Sequence, residues 1–200
     1  TLQQAIGQAD PTNGASIQFT LTSSEALDAL TIAPADFTVT NGSAVAISGS
    51  GTTFTLTTTA SGQGTVSIAP SGTFAIGDPA GNVATSAGGS DRSVAYDSVA
   101  PSVTLAQAGG QADPTNASSI QFTLTSNEAL TAGTVTPADF TVTNGSAVTV
   151  TGSGTTFTLT TTASGQGDVE IAPSGSFGVT DPAGNETTTA GGTDRTVAYD

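Results

Sequence analysis

Cysteine, histidine, lysine, methionine and tryptophan do not occur in this chain, and each absence removes a chemistry. Without cysteine there is no disulfide framework and no thiolate metal site. Without histidine there is no imidazole to bind zinc or to act as a base near neutral pH. Without lysine no intramolecular isopeptide bond can form. Positive charge is almost missing as well: Arg92 and Arg195 stand against 16 acidic side chains, for a formal net charge of −14. Nucleic acid is therefore not a partner, because phosphate binding needs clustered Lys and Arg to displace counterions. An anionic membrane surface is disfavoured for the same reason. Cations, divalent ones best of all, are the natural complement. No apolar run approaches the ~20 residues that cross a bilayer, so membrane insertion is not expected. No signal peptide opens the chain; Thr1 reads as an internal position of something longer, and export is an inference.

What is present is a repeat. Gln8-Ala9-Asp10-Pro11-Thr12-Asn13 returns as Gln111 through Asn116, Asp36-Phe37-Thr38-Val39-Thr40-Asn41-Gly42 as Asp139 through Gly145, and Asp78-Pro79-Ala80-Gly81-Asn82 as Asp181 through Asn185. The offset never changes, and roughly three aligned positions in four are identical, far above chance. Each copy has about the ~100 residues of one sandwich domain, not the short period of a solenoid. The expected division is residues 1–98 and 99–200, with a joint at Tyr96-Asp97-Ser98-Val99-Ala100-Pro101. Pro101 biases Ala100 toward an extended conformation, which makes the joint short and semi-stiff, whereas a Gly/Ser-rich linker would flop. The second copy ends at Asp200, where a next joint would begin, so neighbouring repeats of the same polypeptide are the expected partners of a monomer.

Within a copy, apolar residues alternate at period two. Ile120, Phe122 and Leu124 face one way and Gln121, Thr123 and Thr125 the other. Val103/Leu105, Phe140/Val142, Phe157/Leu159, Val169/Ile171 and Val197/Tyr199 continue the pattern. Asn144-Gly145 and Gly152-Ser153-Gly154 fall between strands, where positive φ angles are wanted. Helical periodicity is absent. Seven or so short strands broken by Gly, Pro and Asn predict an all-β sandwich for each copy.

Several of these motifs, in this order, resemble bacterial immunoglobulin-like repeats. They are Ser23-Ser24-Glu25-Ala26-Leu27, Asp36 through Gly42, Gly49-Ser50-Gly51-Thr52-Thr53-Phe54, Asp78-Pro79-Ala80-Gly81-Asn82 and the joint Asp97-Ser98-Val99-Ala100-Pro101. The resemblance covers nearly the whole chain. It implies two tandem immunoglobulin-like β-sandwich domains of about seven strands each. It also implies the setting of such modules: extender segments of large secreted adhesins on the bacterial cell surface, where calcium often stiffens the joints.

Tracing strand directions brings acidic residues together. In the second domain the loops carrying Glu128 and Asp139 and the loop carrying Asp181 and Asn185 are expected at the end nearest the first domain. Asp97 reaches that end from the joint, and Asp10 lies in a loop at the far end of the first domain. Carboxylates ~6 Å apart repel by roughly 3 kcal/mol per pair at an effective dielectric near 20. Two arginines cannot neutralise so many, whereas calcium takes six to eight oxygens from carboxylates, Asn amides and backbone carbonyls. Asp97, Glu128, Asp139 and Asp181, with Asp10, are therefore the candidate ligands of a calcium ion at the joint. Glu25, Asp36 and Asp78 form the equivalent group in the first domain, without a joint aspartate. Turn chemistry is the competing reading: Asp before Pro and Asn-Gly are ordinary turn residues, and Asp36 can simply cap neighbouring backbone.

Three functions compete on these observations. A tandem spacer needs solubility, stiffness and repetition, and all three are present. A module that recognises a glycan or a host protein through its loops would carry exposed aromatics; aromatics are few, and nearly all fall in the inward register. Catalysis is not expected, because His, Lys and Cys are all missing and the acidic groups sit on turns. The arginines, each following an aspartate, read as surface ion pairs or solvated charge.

Overall fold

The computed structural model describes all 200 residues, which fall into two compact units, Thr1–Ser98 and Val99–Asp200. In the first unit the strands are β1 (Leu2–Gln4), β2 (Ser16–Thr22), β3 (Phe37–Thr40), β4 (Ala46–Ser50), β5 (Thr53–Thr59), β6 (Gly64–Pro70), β7 (Ile76–Gly77), β8 (Val83–Ala84) and β9 (Ser93–Tyr96). One sheet has the order β1-β2-β5-β4, the other β3-β6-β9, and β7 and β8 form a small hairpin. Named A to G in order, leaving the small hairpin aside, the seven sandwich strands give ABED facing CFG. This is the immunoglobulin arrangement of the constant type.

Alternation explains the two layers. In β2 the residues Ile17, Phe19 and Leu21 are buried while Ser16 and Gln18 are exposed. Across the sheet Phe19 pairs with Leu56 and Leu21 with Phe54, so one face of both strands is apolar throughout. From the facing sheet Val66, Ile68 and Val94 join the same cluster. Fully burying one such side chain stabilises by about 1.5–3 kcal/mol. Phe37 meets Phe74 edge to face, with ring centroids 5.9 Å apart, one of the geometries the ring quadrupole favours.

The second unit repeats the plan with β10 (Val103–Gln107), β11 (Ser119–Leu130), β12 (Phe140–Thr143), β13 (Thr149–Thr162), β14 (Gly167–Pro173), β15 (Val179–Thr180), β16 (Glu186–Thr187), β17 (Ala190–Gly191) and β18 (Thr196–Tyr199). Its sheets are β13-β11-β10-β17 and β12-β14-β18. The D–E hairpin is here one continuous stretch, β13, turning at Gly152 (φ 113°) and Gly154 (φ 69°). At the Asn-Gly pair the positive φ belongs to Asn144 (55°), not to Gly145. Gly145 is needed for space: a Cβ there would stand 2.7 Å from both Thr161 Oγ1 and Val142 Cγ1. Thr161 is itself buried, and its hydroxyl donates to Ser146 O at 2.6 Å.

One edge of each three-stranded sheet is covered locally. Thr12 pairs in parallel with Tyr96, and Thr115 with Tyr199, which shields the outer side of β9 and of β18 from edge-to-edge pairing. The arginines close the other sheet. Arg92 donates to the carbonyls of Ala87 (2.5 Å) and Leu2 (3.3 Å), and Arg195 to those of Ala190 (2.7 Å) and Gly191 (2.8 Å). A surface ion pair or a solvated charge was the expectation for each arginine. Neighbours in an extended chain point to opposite sides, so the guanidinium turns inward to backbone carbonyls instead.

Candidate functional site: the acidic loops

The acidic residues singled out by sequence divide by what their oxygens already do. Asp10 accepts the Ala95 N–H at 2.9 Å and so helps fix the Thr12 segment beside β9. Asp36 closes a 3-10 turn, Pro34–Asp36, by reaching back to the Ala33 N–H at 2.7 Å. Asp139 does the same in Pro137–Asp139, with two more bonds. Its Oδ2 accepts both the Thr136 N–H (2.6 Å) and the Thr136 hydroxyl (2.8 Å), and its Oδ1 accepts the Gly178 N–H at 3.4 Å. Both are buried, at 8% and 5% exposure. These three carboxylates are structural caps and clamps, the chemistry that favours Asp where backbone N–H groups would otherwise go unpaired.

Asp78 and Asp181 organise their own turns. Asp78 Oδ1 accepts the N–H groups of Ala80 (2.9 Å) and Asn82 (2.8 Å), and Oδ2 accepts the Asn82 side-chain amide at 2.7 Å. The Asn82 amide, followed by the Asn82 N–H, holds the Asp78 carboxyl below its ordinary value of 3.8. Asp181 repeats the turn through Asn185, with Oδ1 to the N–H at 2.9 Å and Oδ2 to the amide at 2.8 Å. Asp181 is only 2% exposed, whereas Asp78 is half-buried.

Within the second unit, one carboxylate oxygen of Glu128 and one of Asp181 lie within 4.8 Å of each other. Oxygens that share a calcium ion sit 2.3–2.6 Å from it, so this separation suits a common cation. Each oxygen of Asp181 has a second lone pair beyond its bond to Asn185. Glu128 sits on a strand, not on the loop that sequence suggested. Asn127 extends β11 by donating its N–H to Ser102 O (3.1 Å) and accepting the Ser102 N–H on its side-chain oxygen (2.7 Å). In the first unit the equivalent strand stops at Thr22, with Ser24 at the matching position. Glu25 there is exposed, and with Asp78 and Asn82 it lines a pocket of about 230 Å³.

Asp97 closes the first unit. Its N–H donates to Thr12 O at 2.9 Å, and its Oδ1 accepts the Gln63 amide at 2.9 Å. Gln63 Oε1 in turn accepts the Ser98 N–H at 2.9 Å, so one glutamine fixes two successive residues of the joint. Sequence reading passed over Gln63, since a polar residue in a Ser-Gly-Gln-Gly turn carries no distinguishing signal.

Both units are thus immunoglobulin-like sandwiches with carboxylate-organised loops. No family model matches the chain, and no curated protein matches it. Among solved structures it is similar to the adhesin InvE of Yersinia pseudotuberculosis, at 14% identity over all of this chain and 58% of that one, with a TM-score of 0.32. The chain therefore spans a little over half the length of that adhesin chain. So loose a superposition carries no argument about function.

Proposed function

We propose that the chain is a structural spacer, a stalk segment of an extracellular bacterial surface adhesin, and that calcium stiffens its joint. The observation that carries the reading is the duplication of an entire sandwich across a short proline-containing joint, with the Glu128 and Asp181 carboxylates side by side. Glu128 and Asp181 would hold the ion, and Asp97, fixed by Gln63, is the joint residue assigned to complete the charged set. Asp139 supports such a site by shaping its loop, Asp36 does the same for the equivalent group of the first unit, and Asp10 clamps the strand that leads to Asp97. No catalytic role is assigned.

Calcium supplies charge neutralisation and coordination among these oxygens when bound. Extracellular modules work with dissociation constants of about 10⁻⁴–10⁻³ M, and an ion present at ten times its Kd stabilises by about 1.4 kcal/mol. Titration calorimetry of the full chain tests the reading. Calcium should bind with one strong class of site, lost in Asp181→Asn and in Asp97→Ala. Heat of binding unchanged by either variant would remove the assignment.

A further inference from the structure

The chain holds four Asn-X-Ser/Thr triplets: Asn41-Gly42-Ser43, Asn116-Ala117-Ser118, Asn144-Gly145-Ser146 and Asn185-Glu186-Thr187. Such a triplet is an acceptor for an N-linked sugar when it lies on a surface loop of a secreted protein. The fold engages three of them. Asn41 donates its amide to Gly62 O at 2.7 Å, and Asn144 to Gly165 O at 2.8 Å. The hydroxyls two residues on are engaged too, since Ser43 Oγ accepts the Thr59 N–H and Ser146 Oγ the Thr162 N–H, each at 3.0 Å. Asn185 is buried, and its amide donates to Asp181 Oδ2 at 2.8 Å. A sugar on any of these nitrogens would displace a bond that shapes a turn. Asn116 differs: it is exposed, as are Ala117 and Ser118. Neither the Asn116 amide nor the Ser118 hydroxyl has a partner in the protein. The loop is held without them, by Thr115 Oγ1 accepting the Ala117 N–H at 3.2 Å and by Ser118 O accepting the Ala163 N–H at 2.8 Å. Asn13, the matching residue of the first unit, is exposed as well, where the chain continues past Asp97. The exposure therefore belongs to the loop and not to the position of Asp200. In the first unit the triplet is broken, because Ala15 stands where the second unit has Ser118.

We propose that Asn116 is a modification site, the acceptor of an N-linked sugar, and that the other three triplets are closed to transfer in the folded chain. The donor is a sugar activated on a diphosphate, and a separate glycosyltransferase carries out the step. Asn116 Nδ2 bonds to the anomeric carbon and gives up one proton. The bond from that carbon to the phosphate oxygen breaks, and the diphosphate leaves with the electron pair. Ser118 supplies the free hydroxyl that completes the recognised triplet. The product is a bulky, polar group standing off an exposed loop, with no bond of the fold lost. The inference goes beyond the spacer reading and stands whether or not the joint takes calcium.

The folded full chain is the substrate, in two arms that separate the donors. One arm holds UDP-glucose and a soluble asparagine glucosyltransferase, the other a lipid-linked oligosaccharide and a membrane oligosaccharyltransferase. Peptide mass spectrometry then reads each asparagine. Sugar should appear at Asn116 in at least one arm, and the arm that transfers identifies the carrier. Asn41, Asn144 and Asn185 should stay unmodified in the folded chain and become acceptors in a digest that leaves their triplets intact. Asn116→Gln should abolish transfer to the folded chain. Ala15→Ser, which completes the triplet of the first unit, should create a second acceptor at Asn13. No sugar at Asn116 in either arm, transfer to Asn144 as extensive as to Asn116 in the folded chain, or no gain at Asn13 in Ala15→Ser would each overturn the assignment.

Discussion

Replacing Asp139 by alanine separates the two meanings an acidic loop residue can have. Its carboxylate accepts two bonds from Thr136 at 2.6 and 2.8 Å, while Asp36, its counterpart, accepts only the Ala33 N–H at 2.7 Å because alanine has no hydroxyl. A hydrogen bond to a charged group contributes about 1.5–3 kcal/mol when buried, and a lost cap costs ~0.5–2 kcal/mol. Thr136 and Ala33 are not fully enclosed, and water recovers part of the loss. Asp139→Ala should therefore cost about 2 kcal/mol and Asp36→Ala about 1 kcal/mol, on the scale of those two contributions. In a domain of ~100 residues each kcal/mol moves Tm by about 4–8 °C. Scanning calorimetry of the full chain, run in EDTA and again in calcium, reads both. The Asp139→Ala loss should exceed the Asp36→Ala loss and be the same size in either buffer. A loss that vanishes in EDTA would make Asp139 a metal ligand rather than a cap, and equal losses at the two positions would refute the bond-by-bond reasoning.

Two further outcomes follow from local geometry. Gly145→Ala puts a Cβ 2.7 Å from two side-chain atoms without any φ penalty, and overpacking of this kind costs about 1–3 kcal/mol. Gly175→Ala, with nothing within 4 Å, should leave the urea midpoint unchanged, and a pair of equal midpoints would contradict the steric account. Asp78 is held below 3.8 by Asn82, so its contribution is present above the unfolded value and is lost as pH falls through the folded one. Its carboxyl carbon, followed by NMR, should titrate below 3.8, and Asn82→Ala should return it upward; a midpoint at or above 3.8 in the parent would contradict the assignment.

Strand identity was legible because burial on one face leaves a period-two mark. Ile120, Phe122 and Leu124 declare β11 without any knowledge of their partners. The sandwich followed from the number and spacing of such marks. Bonding partners far apart in sequence left no such mark. Asp10 looks like a turn residue before proline, and nothing local says that it holds Ala95, 85 residues away. Arg92 looked like half of a surface ion pair or a solvated charge, yet it serves the carbonyls of Leu2 and Ala87. Asp36 and Asp139 fit both a calcium loop and a cap, since the same oxygens suit either; Thr136 and Ala33 show the capping bonds only in three dimensions. The neighbouring carboxylates of Glu128 and Asp181 lie far apart in the chain. Their approach depends on how far β11 runs, which Asn127 and Ser102 decide.

The most direct test of the spacer account is small-angle scattering of the full chain in millimolar calcium and in excess EDTA. Calcium should narrow the distribution of shapes toward a single extended particle, EDTA should broaden it, and Asp97→Ala should scatter in calcium as the parent does in EDTA while each sandwich stays folded. Identical scattering curves with and without calcium would contradict the account and leave the acidic loops as turns and solubilising charge.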